Sequence, residues 1–294
     1  MGPVVGVSIV IPARNAAGTL PVQLGALARQ DYPGTWEIVV ADNGSTDATP
    51  RIIREWQDRL PQLRRVSVPE VGLDRARNGG IAAASGDRVL CCDADDEVSP
   101  AWITALDRAL RTADVAGGPL EYDRLNPPAV PRPRPADHAT TALPSVFGRP
   151  YGVGANLGFR RSVFDTIGGF DEDMVAGGAD DVDFCWRAAD AGFSLAFAPD
   201  AVVHYRLRSS LRARARQQYG YARGEANLYA KHQALGSLPR RDLRRQLRGA
   251  GARARDLLAG TARLGTVEGR QALVCDAARL AGSIRAVADH HVFV

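Results

Sequence analysis

The first ninety residues alternate between short apolar runs and stretches whose apolar residues recur at helical spacing. The apolar runs are Val4–Ile11, Glu37–Ala41, Val66–Val68 and Asp87–Cys92. Alternation of strands with helices predicts a mostly parallel sheet covered by helices on both faces. We therefore expect an α/β fold, in which ligands bind beyond the carboxyl ends of the strands.

Length and composition exclude several classes of protein. A chain of 294 residues can bury a large core, and its hydrophobic and charged contents, 45% and 24%, are those of ordinary globular proteins. The four cysteines lack metal-binding or disulfide-framework spacing, so we expect reduced thiols and no zinc site. No apolar run is long enough to span a bilayer. We expect a cytoplasmic protein, with peripheral contact to the inner membrane face left open.

Positive charge is concentrated late in the chain. The net charge is +4, but residues 206–255 alone carry fourteen Lys or Arg against two acidic residues. Apolar residues recur there every three or four positions, flanked by arginines, which predicts basic helices. We divide the chain into a first domain, residues 1–205, and a helical extension, residues 206–294. The basic helices suit a solvated covering layer, an anionic membrane surface or a phosphorylated acceptor; nucleic acid is the most distant reading.

Three carboxylates follow the fourth apolar run, at Asp93, Asp95 and Asp96. In an extended segment, residues two apart point the same way, so Asp93 and Asp95 can approach one ion together. Carboxylate oxygens are the ligands that hard divalent cations prefer. Taken alone, this pattern favours an acidic turn between a strand and a helix over a metal site.

Two later segments lack regular periodicity. Residues 123–150 hold seven of the eighteen prolines. This length favours a lid, an acceptor-binding loop or a surface excursion. The glycine-rich segment Gly152–Phe159 predicts a strand that another group can approach closely.

Four separated patterns occur together and in a fixed order. They lie in Val7–Asn15, Val39–Asp47, Ala76–Asp96 and Ile167–Asp183. Together they resemble the family 2 glycosyltransferases of the GT-A type over roughly residues 4–205. The resemblance implies a GT-A, Rossmann-like domain and a hexosyltransferase that moves one sugar, with inversion, from a nucleotide-diphosphate donor to a hydroxyl acceptor.

The resemblance also implies roles for individual residues. UDP-sugars are the favoured donors, and the acceptor is a small molecule, a glycan or a lipid-linked sugar. Mn²⁺ or Mg²⁺ is expected at Asp93 and Asp95, with His204 completing its coordination. The donor contacts implied are Pro12, Ala13, Arg14, Asp42, Arg77, Asp93 and Ala94. A carboxylate such as Asp42 is well matched to a uracil imide N–H.

The catalytic base is implied at the pair Asp180-Asp181. In the family, a carboxylate at the start of a helix removes the acceptor's proton. We assign the base to Asp181 and a supporting role to Asp180. The family's usual glutamate is an aspartate here, so the division of labour stays open. Trp186-Arg187 does not form the motif of processive synthases, which favours transfer of a single sugar.

Two other functions remain open from the sequence. A sugar nucleotidyltransferase can use a similar sheet and similar metal carboxylates, but it releases pyrophosphate. A noncatalytic module that binds nucleotides or associates with membranes would neither hydrolyse the donor nor transfer its sugar.

Overall fold

The computed structural model describes residues 5–128, 130, 141–174, 178–239 and 265–290. The chain forms two compact units. The first comprises Met1–Glu172 and Asp181–Leu207, and the second comprises Asp173–Asp180 and Arg208–Val294. Residues 129 and 131–140 of the proline-rich segment lie outside the described residues, as do all the arginines between residues 240 and 264.

The first unit alternates strands and helices through its first half, as expected. Its strands are β1 (Val7–Ala13), β2 (Trp36–Asp42), β3 (Leu63–Ser67), β4 (Arg88–Cys92), β5 (Glu97–Val98), β6 (Val115–Gly117), β7 (Leu120–Glu121), β8 (Ser145–Val146), β9 (Arg149–Pro150), β10 (Asn156–Arg160), β11 (Leu195–Phe197) and β12 (Val203–His204). Its helices are α1 (Leu20–Leu27), α2 (Thr49–Gln57), α3 (Leu73–Ala83), α4 (Trp102–Ala109), α5 (Arg161–Ile167) and α6 (Asp180–Asp190), whose first residue belongs to the second unit.

The central sheet has the strand order β11-β6-β10-β4-β1-β2-β3. Its neighbouring strands run parallel, except that β10 is antiparallel to β4 and to β6. The predicted mostly parallel α/β sheet is therefore confirmed. Two small sheets accompany it, one with the order β5-β12-β7 and one formed by β8 and β9.

Strand β1 shows why helices cover both faces of the sheet. Each of its residues is buried, and successive side chains point to opposite faces. Ile9 and Ile11 join the core cluster that includes α1, α2 and α4, whereas Val10 joins the cluster that includes residues of α3, α5 and α6. A β-branched run buried on both faces is typical of a central parallel strand.

Strand β1 continues through Pro12, although the apolar run in the sequence stops at Ile11. The strand continues to Ala13, and Pro12 pairs with Ala41 of β2. Pairing between β1 and β4 stops at Val10 and Cys91. Pro12 therefore lies where the ladder no longer requires its missing N–H, which allows a proline within the strand.

The apolar stretch over residues 115–120 is divided between two strands, β6 and β7, that belong to different sheets. The chain changes sheets at Gly118-Pro119. A Cβ on Gly118 would lie 2.1 Å from the Ala201 carbonyl oxygen, so only glycine fits there. The predicted glycine-rich strand begins later than expected, at Asn156.

The second unit contains two paired helices, α7 (Leu211–Ala234) and α8 (Val267–His290). Their backbones approach closely, because a Cβ on Gly282 would lie 2.4 Å from the Tyr219 carbonyl oxygen. Arg279 of α8 donates to Gln218 and Glu225 of α7. The predicted helical C-terminal region is thus confirmed. Among the described helices, none combines the length and apolar character that a membrane span requires.

Candidate active site

The carboxyl ends of β1, β2 and β4 bring several predicted site residues to one edge of the sheet. Ala13 pairs directly with Asp42, and the Asn43 N–H donates to the Ala13 carbonyl at 2.8 Å. Strand β4, which ends at Cys92, lies on the other side of β1. The acidic segment that follows Cys92 therefore leaves the same edge.

The loop after β1 and the loop after β2 are fastened together. The Asn15 N–H donates to Ser45 Oγ at 3.0 Å, and Asn15 Oδ1 accepts from the Thr46 N–H at 2.8 Å. Asn15 adopts a φ of 51°, a left-handed conformation that asparagine tolerates well. Pro12 and Ala13 are buried, whereas Arg14 is exposed.

Asp42 is a buried anion with an arginine partner. Its side chain is 1% exposed, and Oδ2 accepts from Arg65 Nε at 2.8 Å and Arg65 Nη2 at 2.6 Å. Oδ1 accepts from the Ser45 N–H at 3.0 Å. Burial alone would raise the pKa of Asp42, but the hydrogen bonds from Ser45 and Arg65 outweigh it and hold that pKa below its ordinary value.

The carboxylates after β4 form a cluster. Ligand oxygens of Asp93, Asp95 and Asp96 lie within 4.8 Å of one another. Asp96 is fully buried, and its Oδ2 makes no hydrogen bond within the described parts of the chain. Burial, together with the charges of Asp93 and Asp95, raises the pKa of Asp96 well above its usual range. An all-oxygen set with a buried, unpartnered oxygen fits a hard divalent cation such as Mg²⁺ or Mn²⁺.

Arg206 anchors this cluster and was not identified from the sequence. Its N–H donates to Asp96 Oδ1 at 2.7 Å, and its Nε donates to the Asp95 carbonyl at 2.7 Å. Gln23 of α1 holds the other side, because its Nε2 donates to the Asp93 carbonyl at 3.2 Å. The acidic segment is therefore fixed from two directions.

Arg77 lies beneath the cluster. Its side chain is 4% exposed, with Nη2 3.7 Å from Asp93 Oδ1 and Nη1 3.8 Å from Asp74 Oδ1. The guanidinium also packs over the Phe170 ring, 5.2 Å from its centroid. At this degree of burial, Arg77 orients Asp93 in the structure.

Asp181 is held by backbone groups at the start of α6. Its Oδ2 accepts from the Gly154 N–H at 2.7 Å, and its Oδ1 accepts from the Val182 N–H at 2.8 Å. Gly154 also packs against Arg77, because a Cβ on Gly154 would lie 2.5 Å from Arg77 Nη2. Gly154 therefore contacts both Asp181 and the arginine that lies beside Asp93. Asp180 is 7% exposed and belongs to the second unit.

His204 contacts a carboxylate outside the cluster. Its Nδ1 lies 2.6 Å from Glu121 Oε2. Burial alone would raise the pKa of Glu121, but hydrogen bonds from His204, Asp123 and Arg124 outweigh burial and hold that pKa below its ordinary value. In the described structure, His204 is not among the residues whose ligand atoms cluster with Asp93. Its second ring nitrogen, Nε2, faces away from this carboxylate contact.

Arg65, Arg206 and Glu121 are thus the site residues that sequence reasoning missed. For Arg65 a signal was present: the third strand was predicted from Val66, whereas β3 begins at Leu63. With the longer strand, Arg65 pairs with Val40 and faces the same side as Asp42. No pattern in the sequence indicates the long-range contacts of Arg206 or Glu121.

Family models match most of the chain. The model described as glycosyl transferase family 2 matches residues 8–168, and that described as glycosyl transferase family group 2 matches residues 135–266. Glycosyltransferase AglE of Haloferax volcanii is 31% identical over 203 residues, 67% of this chain and 65% of that protein. Validoxylamine A glucosyltransferase of Streptomyces hygroscopicus subsp. limoneus is 28% identical over 213 residues, 61% of this chain and 47% of that protein. The chain thus spans less than two thirds of either relative.

Solved structures share the fold. Mannosyltransferase PcManGT from Pyrobaculum calidifontis, in complex with GDP-Man and Mn²⁺, superposes with a TM-score of 0.70 at 22% identity, over 96% of this chain and 87% of that chain. TarS 1-349 of Staphylococcus aureus, in complex with UDP-GlcNAc, gives a TM-score of 0.56 at 18% identity, over 95% and 91% of the two chains. The expected GT-A fold is confirmed. Because the first family model covers more than half of the sequence, the protein belongs to glycosyl transferase family 2.

Proposed function

We propose that the protein is a metal-dependent glycosyltransferase that moves a single sugar, with inversion, from a nucleotide-diphosphate donor to an acceptor hydroxyl. The observation that carries this proposal is the cluster of Asp93, Asp95 and Asp96 at the carboxyl edge of the sheet. Within the described residues, the buried Oδ2 of Asp96 makes no hydrogen bond. A diphosphate approaching such a negative edge needs a cation between the two. Membership of the family supplies the reaction class.

We assign the cation, Mn²⁺ or Mg²⁺, to Asp93 and Asp95, with Asp96 behind them and His204 adding a nitrogen ligand through Nε2. When bound, the cation stabilises negative charge on the departing nucleoside diphosphate. The contact between His204 Nδ1 and Glu121 supports this role, because a carboxylate on one ring nitrogen orients the other toward a metal. A similar fold has been solved with Mn²⁺.

We assign donor binding to Pro12, Ala13, Arg14, Asp42, Arg77, Asp93 and Ala94, with UDP-sugars favoured. The interlocked loops after β1 and β2 support this assignment, because they place exposed Arg14 next to the Asp42 end of β2. Of the similar structures, one is a complex with UDP-GlcNAc and another a complex with GDP-Man, so the donor panel must include both nucleotides.

We assign the catalytic base to Asp181, supported by Asp180. As the acceptor hydroxyl attacks the anomeric carbon from the side opposite the nucleotide, Asp181 accepts its proton. The backbone N–H groups of Gly154 and Val182 fix the orientation of the carboxylate before the acceptor arrives. Preorganisation of this kind removes the need to reorient the base during reaction.

We further propose that residues 1–205 form the catalytic domain and residues 206–294 a basic extension. Its charge supports peripheral contact with an anionic membrane on the cytoplasmic side, which would suit a lipid-linked acceptor. The same chemistry would serve a glycan or a small-molecule acceptor.

The proposal is tested by thermal melting with UDP, GDP and TDP, each with and without Mn²⁺. At least one nucleotide is expected to raise the melting temperature only when the metal is present. Incubation with the matching sugar nucleotide should then release the nucleoside diphosphate. If no nucleotide produces a metal-dependent shift, the donor assignment is wrong, and release of pyrophosphate instead would indicate a nucleotidyltransferase.

A further inference from the structure

The ion pair between Asp42 and Arg65 changes which group is presented at the carboxyl end of β2. We propose that Arg65 contacts the nucleobase of the donor, donating to a base carbonyl oxygen, and that Asp42 is a positioning residue that holds Arg65. This inference rests on the proposed function, because that function places the donor nucleotide at this edge of the sheet. It replaces the direct contact between Asp42 and the base with an indirect role through Arg65.

Asp42 itself has little capacity left for a ligand. A carboxylate offers about four lone-pair sites, and Arg65 and Ser45 occupy three of them. The side chain is also 1% exposed, so a nucleobase cannot reach it without displacing Arg65. The Asp42 carboxylate, which was expected to accept from an imide N–H of the base, is therefore covered by the Arg65 guanidinium.

Arg65 is placed to meet a ligand. It lies on β3, an edge strand of the central sheet, and its side chain is 41% exposed. Its Nε and Nη2 point to Asp42, whereas Nη1 donates to no group in the described parts of the chain. A guanidinium fixed by a two-fold contact with a carboxylate loses little freedom when it makes a further hydrogen bond.

An exposed apolar side chain, Val71, lies in the loop that follows β3. Asn43 follows Asp42 and pins the loop after β3, because Asn43 Nδ2 donates to the Glu70 carbonyl at 2.6 Å and Asn43 Oδ1 accepts from the Gly72 N–H at 2.8 Å. Val71 lies between these anchors, and its side chain is 54% exposed. A Cβ built on Gly44 would lie 3.9 Å from Val71 Cγ2. Ligand sites combine apolar surface with a few placed polar groups, and a planar base suits both.

The chemistry predicts a preference among bases. Uracil, thymine and guanine each carry a carbonyl oxygen on the edge that an arginine can contact, and adenine carries none. A nucleotide with a carbonyl base is therefore expected to bind more tightly than ADP, and this preference should depend on Arg65.

The sequence offers a matched control one residue away. Arg64 donates through Nε to Glu37 at 2.8 Å, at the amino end of β2, and the side-chain exposures of this pair are 37% and 10%. For Arg65 and Asp42 they are 41% and 1%. Arg64→Met and Arg65→Met each remove one guanidinium from an ion pair between β3 and β2. The two carboxylate partners, Glu37 and Asp42, lie at opposite ends of β2.

The test measures dissociation constants of UDP, TDP, GDP and ADP, and of pyrophosphate, by calorimetry of the full chain with Mn²⁺. The wild type and Arg64→Met should prefer the tightest carbonyl nucleotide over ADP by roughly tenfold or more, since a charged hydrogen bond is at stake. Arg65→Met should lose that preference while its affinity for pyrophosphate stays unchanged.

The outcomes separate the two proposals. If the wild type binds no nucleotide, the proposed function fails. If it binds nucleotides but does not favour carbonyl bases over ADP, or if Arg65→Met keeps the preference, the role of Arg65 is refuted while the proposed function stands. Thermal melting of both variants confirms that each remains folded.

Discussion

At the scale of single residues, Asp181 combines two properties that a positioned base requires. Both carboxylate oxygens accept backbone hydrogen bonds, from Gly154 and Val182, so the side chain has one orientation. Acceptance of a proton nevertheless depends on the carboxylate charge, which an amide of the same shape lacks. Geometry and chemistry can therefore be separated by one substitution.

Asp181→Asn is predicted to lower the rate of sugar transfer by about two to four orders of magnitude, the usual contribution of a general base. Donor affinity should change little, because Asp181 makes no assigned donor contact. Steady-state rates and calorimetric titration of the nucleotide measure the two effects. Asp190→Asn is the control, since it removes a carboxylate from the same helix, α6, and should retain full activity. Full activity of Asp181→Asn would place the base elsewhere, with Asp180 the next residue to test.

At the scale of elements, the amino end of the central sheet carries a structural counterpart to the site at its carboxyl end. Glu37, at the start of β2, accepts from Ser8 Oγ at 2.7 Å, from Arg64 Nε at 2.8 Å and from the Ser85 N–H. Burial alone would raise the pKa of Glu37, but hydrogen bonds from Arg64, Ser8 and Ser85 outweigh it, and the net pKa is lowered from 4.5. This carboxylate joins three segments of the sheet and its connections.

Glu37→Gln is predicted to lower the free energy of unfolding at pH 7 by roughly 1–3 kcal/mol, without changing nucleotide affinity. The pKa of Glu37 in the folded state is below its unfolded value of 4.5. The charge of Glu37 therefore contributes its full stabilisation of the fold above pH 4.5, and this stabilisation is lost as the pH falls through the folded-state pKa. The gap between the wild type and Glu37→Gln should therefore narrow in acid.

Urea unfolding at pH 7 and in steps below pH 4.5 measures this gap. Glu55→Gln is the control, because Glu55 pairs with Arg51 on the exposed face of α2, where both side chains are more than half exposed. A gap of the same size at every pH would show that the charge of Glu37 does not stabilise the fold.

The elements also show how far sequence reasoning extends. The period and order of apolar runs predicted β1, β2 and β4, and these strands carried Asp42 and Asp93 to the same edge. The antiparallel direction of β10 was not predictable, because direction follows from the path of the preceding connection and not from local pattern. The contacts of Arg65 and Arg206 depend on pairing register and on residues 23 and 110 positions away in the chain. Such contacts leave no periodic signal.

At the scale of the whole molecule, positive charge is concentrated in the second unit. The second unit carries exposed arginines on α7, among them Arg212 and Arg216, one helical turn apart. Basic residues near an anionic bilayer each contribute about 1 kcal/mol of attraction, which salt screens. This magnitude allows membrane contact to be tested by charge reversal.

The full chain is predicted to sediment with phosphatidylserine-containing vesicles, weakly or not at all with neutral vesicles, and less as salt is raised. The double variant Arg212→Glu and Arg216→Glu should reduce binding by roughly tenfold or more. The same reversal at Arg51 and Arg54, on α2 of the first unit, is the control and should have little effect. Equal binding to neutral vesicles would argue against an electrostatic membrane contact.

The contact between Arg206 and the acidic segment has a consequence for how the protein is made. Arg206 follows Asp96 by 110 positions, and both of its hydrogen bonds go to the segment that follows β4. During synthesis at about 5–20 residues per second, the carboxylates leave the ribosome roughly 5–20 seconds before the arginine that fixes them. The nascent chain can form β1, β2 and β4 during that interval, but the hydrogen bonds from Arg206 to the acidic segment form only after nearly the whole first unit has been translated.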